Sequence, residues 1–161
     1  MPNITIEYVI LLPILILQIM LFPFAVNMLM NIWVDSRRTL ALQEVVSHIG
    51  SCLQQMYFTL NHNSVPTGKL TQTVDVPPFI EGYHYVGNAT LRPVLDPELG
   101  SSKVLRMMFR LVGTGTVVET SVILGPSVEW RESTFVSNST SVCITAEKFA
   151  NETILLAFGG G

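Results

Sequence analysis

Three histidines, two cysteines and twelve carboxylates are the side chains of this 161-residue chain that could do acid–base, nucleophilic or metal chemistry. Their spacing keeps them apart: His48, His62 and His84 fall on a predicted helix, a turn and a strand. Cys52 and Cys143 form neither a Cys-x-x-Cys pair nor a Cys/His set of zinc spacing, which argues against zinc and thioredoxin-like chemistry. There is no nucleophile elbow and no phosphate loop, so the pattern offers no catalytic, cofactor or metal residues and supports an enzyme least of all. Two covalent chemistries remain. A Cys52–Cys143 disulfide would close a loop of about 90 residues, worth on the order of 4–5 kcal/mol in an oxidising compartment; two independent buried thiols are the alternative. The triplets Asn88-Ala89-Thr90, Asn138-Ser139-Thr140 and Asn151-Glu152-Thr153 are N-glycosylation acceptors beside predicted turns, with a fourth at Asn3-Ile4-Thr5. Together they point to an extracytoplasmic surface.

Charge narrows the partners. The net charge is -3, and the nine Lys and Arg are scattered singly apart from Arg37-Arg38, so no basic footprint exists for nucleic acid. From Tyr8 to Val34 the chain carries no charge over 27 residues, entered through Glu7 and left through Asp35-Ser36-Arg37-Arg38. A helix of that length spans roughly 40 Å, enough to cross the roughly 30 Å hydrocarbon core of a bilayer with some tilt. Pro13 and Pro23 interrupt it; each would cost about 3 kcal/mol in an isolated helix but is tolerated among neighbouring helices that satisfy the freed carbonyls. Arg37-Arg38 on the head side favours a cytoplasmic head by the positive-inside rule, against the outward direction of the acceptor triplets.

After Asp35 the pattern turns amphipathic. Leu42, Val45, Val46, Ile49, Leu53, Met56, Tyr57 and Leu60 recur at three- and four-residue intervals without a proline, which predicts one helix from about Ile4 to Leu60. Asn61 to Gly68 is a turn cluster that ends it. Beyond lie eight predicted strands: 69–76, 83–86, 90–94, 103–112, 116–124, 129–136, 142–148 and 153–158, with Gly113-Thr114-Gly115 as a hairpin connection. The predicted fold class is α+β, a lollipop-like arrangement in which residues 1–60 form a long N-terminal helix packed on an all-β head, residues 61–161, built as a sandwich or small barrel. The Val45/Ile49/Leu53/Met56 stripe is expected to cover one face of the sheet. Whether Cys143, between Val142 and Ile144, faces Cys52 decides whether a helix-to-sheet clamp can form.

A carboxylate opening a long apolar helix that runs amphipathically into a β-rich head resembles the type IV pilin class, its archaeal members especially. Asn3-Ile4-Thr5-Ile6-Glu7 looks like the pilin N-terminus in which glutamate is the fifth residue after leader cleavage. Glu7-Tyr8-Val9-Ile10-Leu11-Leu12-Pro13 also looks like the minor pilins of tight-adherence systems, and Val74-Asp75-Val76-Pro77-Pro78-Phe79-Ile80-Glu81-Gly82-Tyr83 is similar to a segment of archaeal pilin-like heads. The resemblance implies a structural subunit of an extracellular filament, exposed for adhesion. Its partners would be other copies of itself, the cell membrane before assembly, a leader peptidase with the pilus assembly machinery, and N-linked glycans. Met1-Pro2 departs from the basic leader of pilin precursors. The resemblance also assigns assembly roles: Glu7 would meet the N-terminal amine of an adjacent subunit, and Pro13 and Pro23 would shape the packed helices. Without it, Glu7 simply favours the positive end of the helix dipole, worth about 0.3–1 kcal/mol. The alternative function is a single-pass membrane-anchored surface protein with a ligand-binding β head and no polymer.

Overall fold

The computed structural model describes residues 3–94 and 102–159, with side chains from Val9 onward. One helix, α1, runs from Asn3 to Leu60, followed by eight strands: β1 (Gly68–Thr73), β2 (Tyr85–Pro93), β3 (Lys103–Leu111), β4 (Val117–Leu124), β5 (Val128–Trp130), β6 (Thr134–Val136), β7 (Cys143–Lys148) and β8 (Ile154–Gly159). The chain divides into two units, residues 1–37 and 38–161. Among its described residues the first is helix alone. The second takes in helix residues 38–60 together with every strand, so the amphipathic half of α1 belongs to the head.

The head is a two-sheet sandwich, with strand orders β1-β7-β8-β5 and β4-β3-β2-β6. All pairings are antiparallel except β5 with β8. Period-two alternation sets the inner faces: Leu105, Met107, Phe109 and Leu111 of β3 are buried while Arg106, Met108 and Arg110 point out. Between the sheets, Phe109, Phe135 and Phe158 meet edge-on with ring centroids 5.4–6.1 Å apart, and Tyr85 stacks on Phe135 at 6.1 Å. Such contacts add about 0.5–1.5 kcal/mol each beyond the area they bury. The Tyr85 hydroxyl donates to the Pro77 carbonyl at 2.8 Å, and burial pushes its pKa well above the ordinary 10.0. The head segment of α1 buries the expected stripe, with Leu42, Val46, Ile49 and Leu53 fully enclosed. It lies along the β1/β4 side of the sandwich: Cys52 meets Gln72 of β1, Gly50 faces Met107 and Val122, and Tyr57 lies against Gly125 just after β4. At the far end of the helix, Lys148 donates to the carbonyls of His62 and Val65, at 3.2 and 3.1 Å.

Two strand expectations are corrected. Residues 83–86 and 90–94 are not separate strands; β2 runs through Gly87-Asn88 without a turn. Gly87 reads as a turn signal, but it sits in a central strand because the Phe109 ring packs where its side chain would be; a Cβ there would fall on that ring. Residues 129–136 are not one strand either. The chain leaves the first sheet at Trp130 and joins the second at Thr134, so a run of continuous β character changes sheets with no glycine or proline to announce it. The predicted hairpin does form: Leu111 N–H donates to the Thr116 carbonyl at 3.1 Å, across residues 113–115.

Candidate functional site

Every described side chain from Val9 to Trp33 is solvent-exposed. Nineteen of them are large and apolar, from 40% exposed at Val26 to 75% at Phe24. Mean hydropathy reaches 2.7 over an 18-residue window, none of it buried. Fully covering one such side chain stabilises by about 1.5–3 kcal/mol, so the exposed set represents tens of kcal/mol. Among the described residues this one apolar N-terminal helix is long enough to span a membrane, which is consistent with a membrane-associated protein carrying a folded β head.

Pro13 and Pro23 lie inside α1 without ending it. Each lacks the N–H that would bond to the carbonyl four residues earlier, which frees the carbonyls of Val9 and Ile19. Beside Pro23 a shallow groove of about 590 Å³ is bordered by Leu15, Gln18, Ile19 and Phe22, so a polar side chain and a freed carbonyl share one patch of an otherwise apolar surface. At the head end of the rod, the Arg37 guanidinium lies 5.0 Å from the Trp33 ring centroid. An aromatic paired with a cation one turn on suits a membrane–water boundary. The side chain of Glu7 lies outside the described residues.

The acceptor asparagines Asn88, Asn138 and Asn151 are all exposed but occupy different places. Asn88 is mid-strand on the outer face of β2, not beside a turn; it is in register with Met108 and Thr134. Asn138 follows Ser137, whose Oγ accepts from Tyr85 N–H and donates to the Pro78 carbonyl. Asn151 is in the β7–β8 loop, its Oδ1 accepting from Thr153 N–H at 3.2 Å. The two cysteines are free. Cys52 is buried, 3.9 Å from both His48 Nε2 and Gln72 Nε2, and burial pushes its thiol above the ordinary 9.0. Gln72 is in register with Ile144, which is buried on the inner face; Cys143 is one residue away and turns to the opposite face, against Gly159. The sheet therefore separates the two thiols.

Two groupings were missed in the sequence. The first is a clamp on a strained turn. Ile80 and Tyr83 exchange hydrogen bonds of 2.9 and 3.0 Å across Glu81-Gly82, whose φ angles of 50° and 84° give a type I′ turn. Glutamate pays a penalty in that left-handed region. It is held there by Arg38, whose Nε lies 2.9 Å from Glu81 Oε2 and whose guanidinium sits 5.1 Å from the Tyr83 ring centroid. The x-Gly pair between two large apolar residues was the available signal. The second is a cleft of about 660 Å³ where β5 leaves the first sheet, lined by Asn88 and Thr90 of β2, Lys103, Glu129, Trp130 and Glu132. Lys103 Nζ donates to the Val128 carbonyl at 2.7 Å, and the Trp130 indole N–H has no acceptor among the described residues. No sequence pattern joins those residues, because they meet only through the change of sheet.

Among the described residues no group of three His, Cys, Asp or Glu is placed to hold a metal. Comparison with protein-family models, with curated proteins and with solved structures gives no match to this chain.

Proposed function

We propose that this protein is a single-pass membrane-anchored surface protein whose β head is displayed in water outside the cytoplasm. The observation that carries the reading is the rod from Val9 to Trp33, exposed on every side and ending in the Trp33/Arg37 pair. The exposure of all three acceptor asparagines supports an outward head, against the opposite bias of Arg37-Arg38. The test is membrane fractionation of cells that make the protein, followed by protease treatment of intact cells. The full chain is expected in carbonate-resistant membranes with its head cut from outside. A protein released by carbonate, or a head protected until the cells are lysed, overturns the reading.

A second reading, a subunit of an extracellular type IV pilus-like filament, rests on a narrower observation. Pro13 and Pro23 free two carbonyls on the rod, and Gln18 lies in the groove beside the second. In hydrocarbon such groups need donors from neighbouring helices, and other copies of this rod would supply them. In that assembly Glu7 would pair with the N-terminal amine of an adjacent copy and fix axial register. Electron microscopy of cells carrying the native chain or Glu7→Ala decides it. Fibres that contain the native protein and vanish in the variant support the polymer; the absence of fibres from both leaves the anchor alone.

A further inference from the structure

We propose that the cleft between β2 and β5 is the seat of a glycan linked to Asn88. The inference rests on the outward reading of the head. In most strands an asparagine side chain points into open solvent, but Asn88 lies on the rim of a cavity of about 660 Å³. The cavity arises from the topology. β6 pairs with β2 only from Val86 to Asn88, and from there the chain turns away towards β5 in the other sheet. Tyr85 exchanges bonds with Ser137 on the β6 side. By the two-residue alternation Ala89 and Leu91 turn their N–H and C=O the same way, towards the space that β6 has vacated. Backbone donors and acceptors therefore edge the cleft beyond the acceptor asparagine.

The remaining walls suit a neutral, hydroxyl-rich, half-apolar ligand. Trp130 is half-buried, with its ring set edge-on to Phe158 at 4.9 Å. Its indole N–H is buried without an acceptor among the described residues, so what the ring offers the cleft is an apolar wall for a sugar's C–H face. Glu129 and Glu132 accept from hydroxyls, and the exposed Thr90 can do either. Lys103 is already committed to the Val128 carbonyl, which disfavours an anionic ligand beside two carboxylates. The linkage requires a glycosyltransferase and a lipid-phosphate-linked sugar donor. The anomeric carbon bonds to Asn88 Nδ2, the bond to the lipid phosphate breaks, and the amide loses one proton. Asn138 and Asn151 lie on turns.

The test uses the full-length protein from its native cells in a Trp33→Phe background, so that Trp130 is the sole tryptophan. Wild-type sequence, Asn88→Gln, Thr90→Ala and Thr90→Ser are compared by peptide mass spectrometry and by acrylamide quenching of fluorescence. Glycan on Asn88 is expected in the wild type and in Thr90→Ser, with quenching of Trp130 at least two-fold weaker than in Asn88→Gln and Thr90→Ala. A bare Asn88 with glycan on Asn138 or Asn151 overturns the seat and leaves the outward head intact. A glycosylated Asn88 with equal quenching in all four proteins also overturns it. If all three asparagines are bare, the outward reading loses its support and the seat falls with it.

Discussion

The two halves of α1 are equally helical and comparably hydrophobic in places, yet they meet different surroundings. From Val9 to Trp33 large apolar side chains cover every side and all are exposed; from Arg38 to Leu60 most of them form one stripe, buried from Leu42 to Leu60, and only Leu40 and Phe58 lie exposed outside it. The contrast shows that periodicity carries the information, more than hydrophobicity itself. A helix that is apolar all round has no face left for water, so its partner must be lipid or other helices. A helix with one apolar face needs only one surface, and the head supplies it with the β1/β4 side of its sandwich.

Charge placed in each half should separate the two roles. Lysine at both Leu17 and Phe24 puts two charges near the middle of the rod, at about 2.5–3.5 kcal/mol each for membrane insertion. The double variant is expected to leave the carbonate-resistant membrane fraction while the head keeps its β-type circular dichroism. Ile49→Lys, at a fully buried position of the stripe, should do the reverse: the protein stays in the membrane and the head unfolds. If Ile49→Lys leaves the head intact, the stripe does not anchor α1 to the sandwich.

Within the head, a smaller effect is expected at Gly87. Valine there drives two methyl groups into the Phe109 ring, and overpacking of that kind costs about 3 kcal/mol. The detergent-solubilised variant should show a lower denaturation midpoint with an unchanged slope, partly recovered by Phe109→Leu in the same chain. No recovery would mean that the strand backbone, not the ring, sets the requirement for glycine.

Gly87 also shows where the sequence was readable and where it was not. The helix, its end at the Asn61–Gly68 cluster, the buried stripe and the β3–β4 hairpin follow from local periodicity and turn chemistry, which act within a few residues. Local pattern splits β2 in two because a glycine demanded by a ring 22 positions away looks the same as a glycine demanded by a turn. The sheet change between Trp130 and Thr134, and hence the cleft, depends on which strands lie across the sandwich. The facing of Cys143 was likewise fixed by register with Thr73 and Gly159, which no local pattern reveals.

The smallest expected effect lies where the head begins. Glu81 in the left-handed region costs about 1–2 kcal/mol, and the Arg38 contact, with side chains 20% and 30% exposed, returns about 1 kcal/mol, more than the median exposed pair because it is partly shielded and adds a cation–π contact. Arg38→Ala is therefore expected to destabilise the head by about 1 kcal/mol, because the contact is lost while the strain at Glu81 remains. Glu81→Gly loses the ion pair but also removes the strain, so it should fall within about 0.5 kcal/mol of the native chain. The double variant should be more stable than Arg38→Ala alone. Chemical denaturation of the four proteins closes the cycle: equal losses in Arg38→Ala and in the double variant would show that Arg38 acts through Tyr83 and not by holding the turn.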